Sequence, residues 1–298
     1  MGETITLPAY AKINLFLDIT GVLPNGYHTL NNIMQQIGLY DNVTVAFEKR
    51  SESSVEIMCD NPLIPCDERN IAYKAAKLFL AECGGSGKVI IDIKKNIPVM
   101  AGLGGSSTDG AAVLVALNEL CGKPFSKAEL EKMGAVLGAD VSFCIRGGCA
   151  YCKGIGEVMT DIAGLPLCSV LIIKPDFSCN TAEAYGQYDK NPIKSVSEPE
   201  KLLRALKKGE LSEISNSFYN VFELLNNVQE TKAIKEALIN SGAMGASLTG
   251  SGSAVYGIFP NEDTAFNAAR NLNYRVRIVA SPITRLHTEY GASNFKIL

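Results

Sequence analysis

Three groups of residues have the types and spacing to do chemistry, and the first is a glycine run. "PVMAGLGGSST", Pro98 to Thr108, leads straight into the apolar helical stretch Ala111 to Leu120. At such a junction free backbone N–H groups, the hydroxyls of Ser106, Ser107 and Thr108 and the positive end of a helix converge on one point, which makes an anion site. A Walker loop needs a Lys directly after its last glycine, whereas here Gly105 is followed by Ser106. A dinucleotide fingerprint needs its third glycine where this chain has Ser107. The phosphates of a nucleotide are the expected anion. The competing reading is a tight strand-to-helix connection whose glycines only permit close packing.

The second group is Lys12 with Asn14, and the third is Asp140. From Lys12 to Ile19 the chain alternates, with Ile13, Leu15, Leu17 and Ile19 on one side and Lys12, Asn14, Phe16 and Asp18 on the other, which reads as a strand. An ammonium on such a strand is costly to desolvate unless a partner or substrate uses it. Asp140, in "LGAD", follows a helix-ending glycine and precedes what reads as an apolar strand. A Lys and an Asp that met beside bound phosphate would supply a base for a hydroxyl and a cation to orient it, the parts of a phosphoryl transfer to an alcohol. A structural ion pair, or two separate solvated charges, is the alternative. "CAYC", Cys149 to Cys152, has half-site spacing but no second pair nearby, and reads as small buried strand residues rather than a metal or redox site.

These residues need elements to hold them. "DNVTVAFEK" and "SSVEIMCD" read as strands paired around a polar turn, after the Pro24–Asn25–Gly26 turn. "ERNIAYKAAKLFLAECGG" reads as a helix and "KVIIDIKKNIP" as a strand into the glycine run. "FSKAELEKMGAVLGAD" is a helix with Ser126 and Glu129 as capping box and Gly138 as its stop. "VSFCIRGGCAYCKG" and "GEVMTDI" read as strands, and "CSVLIIKP" opens a new one after a break near Ala163. Helices follow at "TAEAYGQYD", "EPEKLLRALKKGEL", "ISNSFYNVFELL" and "VQETKAIKEALINSG", then a glycine-rich turn and strand at "ASLTGSGSAVYGIFP".

A chain of 298 residues, 47% hydrophobic and 20% charged, is expected to fold as two domains, 1–163 and 164–298. The formal charge of −3 is scattered, without the basic stripe that nucleic-acid binding requires. Apolar runs are too short to span a bilayer, so no membrane partner is expected. Nine cysteines, an odd number, fit free thiols in a reducing cytoplasm. The first motif begins near residue 8, so a cleaved leader is not expected and the location is read as cytoplasmic.

"PVMAGLGGSSTDGAA", the opening "PAYAKINLFLDITG" and the late "LTGSGSAVYGIF" together resemble the three motifs of the galactokinase, homoserine kinase, mevalonate kinase and phosphomevalonate kinase (GHMP) superfamily. "AKINLFLDITGVLPNGYHTLNNIMQQIGLYD" resembles the first motif of the branch that uses ATP to phosphorylate the 2-hydroxyl of 4-diphosphocytidyl-2-C-methyl-D-erythritol (CDP-methylerythritol) in non-mevalonate isoprenoid synthesis. The resemblance implies an α+β fold of two domains, the first like domain 2 of ribosomal protein S5 and the second ferredoxin-like, with the site between them. It implies Asp140 as general base with Lys12 against it, Asn14 at the methylerythritol end, and Tyr27 and His28 on the cytosine. Tyr185 would cover the base's other face, with Thr181 near the acceptor. Pro98, Val99, Met100, Ala101, Gly102, Leu103, Gly104, Gly105, Ser106, Ser107 and Thr108 would wrap the ATP phosphates, with Asn70 and Lys95 near the adenosine. Mg2+ is expected with ATP; its ligands are unassigned, with Ser107, Thr108 and Asp109 as candidates. The substrate is a small molecule and the enzyme a monomer or homodimer. A kinase for another small alcohol, or a non-catalytic nucleotide-binding protein of this fold, are the alternatives. Ser106 stands where these kinases usually have glycine, and would be strained if that position needs a positive φ. Thr108 stands where serine is usual, and Gly110 where alanine is.

Overall fold

The computed structural model describes residues 3–194, 198–225, 229–283 and 296–297. The long strands β1 (Glu3–Val22) and β2 (His28–Lys49) form an antiparallel hairpin closed by the 24–26 turn. β3 (Ser54–Cys59), α1 (Ile71–Glu82) and β4 (Gly87–Lys94) follow, then three helices, α2 (Gly105–Leu120), α3 (Lys127–Leu137) and α4 (Ala139–Arg146). The hairpin of β5 (Cys149–Lys153) and β6 (Val158–Asp161) completes this part. Next come β7 (Ser169–Lys174), α5 (Thr181–Lys190), α6 (Pro199–Lys208), α7 (Leu211–Ser215), β8 (Tyr219–Asn220), α8 (Phe222–Leu225) and α9 (Gln229–Asn240). β9 (Gly245–Leu248), β10 (Val255–Phe259), α10 (Glu262–Asn271), β11 (Val276–Ala280) and β12 (Lys296–Ile297) end the described chain.

The strands form two sheets. One runs β3-β4-β2-β1-β8, with β5 also on β2 and β6 on β5; the other runs β12-β11-β7-β10-β9. Helices α1 and α2 bury Phe79, Leu114 and Leu117 against Val43, Val45, Val89 and Ile91 of the first sheet. A second core joins Phe16 and Ile33 of the first sheet to Val170, Ile172, Tyr256 and Ile278 of the second, with Leu202 and Leu206 of α6. The other face of the second sheet, Leu171, Ile173, Val255 and Val279, packs on Ile234 of α9 and Ala265 of α10. The near-continuous burial of β7 reflects helices or a sheet on both faces. No helix among the described residues is long and apolar enough to cross a membrane.

Four local expectations are corrected. β3 does not pair with β2: it runs parallel to β4, which lies between them, because α1 carries the chain over and returns it in the same direction. "VSFCIR" is helix α4, not strand; Val141 and Ile145 are buried one helical turn apart, a spacing that this short run shares with alternation. "ISNSFYNVFELL" is not one helix. It breaks into α7, β8 and α8 because Tyr219 and Asn220 pair in parallel with Phe16 and Leu17 of β1. Finally, β-bulges in the β1–β2 ladder interrupt the alternation, so that Phe16 shares a core with Ile13 and Leu15 while Leu17 and Ile19 serve another.

Candidate active site

A cleft of about 570 Å³ is lined by β1, the 98–107 run, the 26–28 turn, the start of α4, α5 and the 250–251 turn. The glycine run supplies one wall. Gly102 and Gly104 both have φ of +75°, a region that favours glycine. A Cβ on Gly102 would lie 2.1 Å from the Thr249 carbonyl oxygen, so the run and the 249–252 turn approach as only a glycine allows. The Lys12 N–H donates to the Leu103 carbonyl at 3.0 Å and the Ala254 N–H to Ala101 at 3.1 Å, which fixes the run from both sheets. Helix α2 begins at Gly105, so Ser106 and Ser107 form its first turn and present its N–H groups to the cleft. Ser106 sits in this helical turn and not at a positive φ, which removes the strain its substitution for glycine raised. Gly110 has its own reason: a Cβ there would lie 2.6 Å from Ile71 Cγ2, so its absence lets α2 close on α1.

Lys12 and Asp140 meet. The Lys12 side chain, 4% exposed, runs behind Gly104 and places Nζ 3.4 Å from Asp140 Oδ2 and 2.7 Å from Asn14 Oδ1. Asp140 is in the first turn of α4, where a carboxylate is stabilised by the helix dipole, and remains a third exposed to the cleft. Asn14 is buried; its Oδ1 also accepts from the Gly250 N–H at 2.8 Å, and its Nδ2 donates to Asn32 Oδ1 at 2.8 Å.

At the far end Tyr27 is exposed, while the His28 ring lies 4.7 Å from the ring of Tyr185. Asn180 caps α5 by accepting from the Ala182 and Glu183 N–H groups, which sets Thr181 at the cleft and Tyr185 one turn further on. Burial pushes the Tyr185 phenol well above its ordinary range, so it serves as a neutral ring surface. The Thr181 and Ser251 hydroxyls are 3.1 Å apart.

Three expected residues stand differently. Lys95 lines the cleft, but its ammonium turns away, to Asp109 Oδ2 at 2.7 Å and to Asp41. Asp41 Oδ1 in turn accepts from the Asn96 and Ile97 N–H groups at 2.6 and 2.8 Å. Burial opposes the Lys95 charge, yet the two carboxylates outweigh it and raise its pKa. Burial pushes Asp109 up to about 7 against the pull of Lys95, and the Asp41 charge adds to the rise. Asn70 caps α1, accepting from the Ala72 N–H and donating to the Pro65 carbonyl, and Thr108 is buried; neither lines the cleft. Residues absent from the sequence reading are Asn32, Gly250 and Ser251, which line the cleft, and Asp189, whose Oδ1 lies 2.7 Å from His28 Nε2. The late "TGSGS" motif could have pointed to Gly250 and Ser251; Asn32 and Asp189 carried no local signal.

Family models for the GHMP kinases N terminal domain and GHMP kinases C terminal match residues 70–148 and 201–277. The 4-diphosphocytidyl-2-C-methyl-D-erythritol kinase of Clostridium novyi is 42% identical over 268 residues, covering 89% of this chain and 94% of the relative. The chain belongs to the 4-diphosphocytidyl-2-C-methyl-D-erythritol kinase family. A member of that family from Desulfitobacterium hafniense is also 42% identical, over 90% of this chain and 92% of its own length. A crystal structure of 4-(cytidine 5'-diphospho)-2C-methyl-D-erythritol kinase superposes with a TM-score of 0.76 at 30% identity, covering 93% of this chain and 98% of that one. A homoserine kinase structure from Cytophaga hutchinsonii, 18% identical with a TM-score of 0.72, shares the fold, covering all of this chain and 98% of its own. The α+β GHMP kinase fold expected from the motifs is therefore the fold of this kinase family member.

The site's donor set also bears on magnesium. Among the described residues no three His, Cys, Asp or Glu side chains gather as metal ligands, and Asp140 is the carboxylate on the cleft wall. Asp109 and Thr108 do not line the cleft. One carboxylate and the Ser106 and Ser107 hydroxyls suit an ion held mainly by phosphate oxygens and water, as magnesium is in nucleotide sites.

Proposed function

We propose that this enzyme transfers the γ-phosphoryl group of ATP to the 2-hydroxyl of CDP-methylerythritol in non-mevalonate isoprenoid synthesis. The observation that carries the reading is the 3.4 Å Lys12–Asp140 pair facing the N-terminus of α2 across one cleft. The glycine run and α2 hold the triphosphate through backbone N–H groups and the helix dipole, so no Walker lysine is needed. Asp140 takes the proton from the acceptor hydroxyl as its oxygen attacks the γ-phosphorus, and Lys12 orients that oxygen and offsets the charge gathering there. Tyr27, His28 and Tyr185 hold the cytosine; Thr181 lies towards the acceptor. Magnesium, carried with ATP, would neutralise phosphate charge and be held by Ser106 or Ser107. Lys95 supports the glycine run from behind rather than touching adenosine. The chain works as two domains joined near Ala163, in the cytoplasm.

The test is turnover of CDP-methylerythritol with ATP by the wild-type enzyme and by Asp140→Asn. The expected result is wild-type phosphorylation at the 2-hydroxyl and a fall of about 10²–10⁴ in kcat for the variant, with ATP affinity within about threefold of wild type by titration calorimetry. Full activity in Asp140→Asn would remove the general base from this scheme, and wild-type turnover of another small alcohol alone would replace the substrate.

A further inference from the structure

His28 is held from its outer edge by a residue on α5. Its Nε2 lies 2.7 Å from Asp189 Oδ1, the ring is 89% buried, and Tyr185 and Tyr188 flank it at 4.7 and 5.9 Å between ring centroids. All three partners come from α5, where Tyr185 and Asp189 are one helical turn apart and Tyr188 anchors the helix by packing in the core. A carboxylate accepts hydrogen bonds and does not donate them, so the hydrogen in this contact is on Nε2. In its neutral form the ring then has Nδ1 solely as an acceptor, and His28 lines the cleft.

We propose that Asp189 is a positioning residue for nucleobase selection: by fixing the Nε2–H tautomer of His28, it makes the ring select cytosine and reject uracil. This rests on the cytidine reading of the preceding section. Cytosine carries an exocyclic amino donor where uracil carries a carbonyl acceptor. An Nδ1 lone pair accepts from the first and repels the second, leaving a buried carbonyl unpaired. The opposite tautomer would invert the preference. The two flanking tyrosines prevent the ring from turning to exchange its nitrogens, so the tautomer decides the outcome. Asp189 is half exposed and touches no part of the Lys12–Asp140 pair, which separates its role from the chemical step.

The experiment compares the wild-type enzyme with Asp189→Ala on two substrates, CDP-methylerythritol and its uridine diphosphate counterpart. Alongside, nitrogen NMR of 15N-histidine-labelled protein reads the tautomer directly; the chain has two histidines, and His287→Gln leaves His28 as the single signal. The expected spectrum is the Nε2–H tautomer in the wild type and a mixture in Asp189→Ala. The expected kinetics are a KM for the cytidine substrate raised about tenfold, with kcat and the KM for ATP within about twofold, and a cytidine-to-uridine preference reduced about tenfold. An Nδ1–H or doubly protonated His28 in the wild type at about pH 8 overturns the proposal, as does an Asp189→Ala enzyme with unchanged preference. Failure of the wild type to use the cytidine substrate at all instead overturns the substrate reading beneath it.

Discussion

The Asn14 carboxamide oxygen accepts from three donors: the Lys12 ammonium at 2.7 Å, the Gly250 N–H at 2.8 Å and the Thr249 hydroxyl at 3.2 Å. It therefore aims the cation of the site and ties the late glycine turn to the first strand. Asn14→Ala would leave a buried ammonium short of a partner and a buried N–H without one. The expected cost is about 2–4 kcal/mol of stability by denaturant unfolding, with kcat lowered at least about tenfold as Lys12 loses its aim. Unchanged stability with a raised KM for the alcohol alone would mean that Asn14 acts only as a substrate contact. Lys12 and Asn14 were legible because polar groups in an apolar strand must be used for something. What Asn14 binds was not, since Thr249 and Gly250 are 235 and 236 residues away and no local pattern carries such a pairing. Asp189 was hidden for a related reason: an acidic residue late in a helix is an ordinary surface residue until the fold brings His28 to it.

At the scale of elements, the Asp41–Lys95–Asp109 cluster fixes both ends of the glycine run. Asp41 holds the backbone at Asn96 and Ile97 where the chain enters, and Asp109 in α2 holds the exit, with the Lys95 ammonium between them near Gly105. The arrangement titrates. Asp109 is raised from 3.8 to about 7, so between these values the folded protein keeps a proton that the unfolded chain has lost. Stability from this group is complete below the lower value and falls as pH rises through the higher one. Asp109→Asn removes that dependence. Relative to wild type, the variant is expected to gain about 2–3 kcal/mol in unfolding free energy between about pH 5 and about pH 8, measured by urea denaturation. A constant difference across that range would place Asp109 ionised throughout. Element boundaries with local chemistry were legible: the Ser126–Glu129 capping box and the Gly138 stop stand where the sequence put them. α4 was not, because eight residues are too few for helical and alternating periods to separate, and β3 found its partner through the crossover that the sequence does not specify.

At the scale of the whole molecule, a sequence reading of two domains invites the expectation of two unfolding units, and the packing argues against it. β8, from the second half of the chain, extends the first sheet beside β1, and a single core links Phe16 and Ile33 to Val170, Tyr256 and Ile278. The segment after β11 returns to β2, with the Gly38 N–H on the Ser281 carbonyl at 2.8 Å and the Ile283 N–H on Gln36 at 2.8 Å. Gln35 joins these parts. Fully buried on β2, its Nε2 donates to the Ile283 carbonyl at 2.7 Å and the Gly148 carbonyl at 3.3 Å, while its Oε1 accepts from the Leu165 N–H at 2.9 Å. That one side chain thus holds the β5 turn, the link between the halves and the late segment. The cleft draws on the same union, since Lys12 and His28 come from one half and Thr181, Tyr185 and Ser251 from the other. Calorimetry of the wild type is expected to show one transition, because neither half keeps its core when the other melts. Gln35→Ala leaves buried backbone groups unpaired at about 1–3 kcal/mol each. For the Leu165 N–H and the Ile283 carbonyl together, its single transition is expected about 4–24 °C lower at about 2–4 °C per kcal/mol, with both halves shifting together. Two separated transitions, of which only one moved, would mean that the halves fold independently and that the cleft is a loose contact between them.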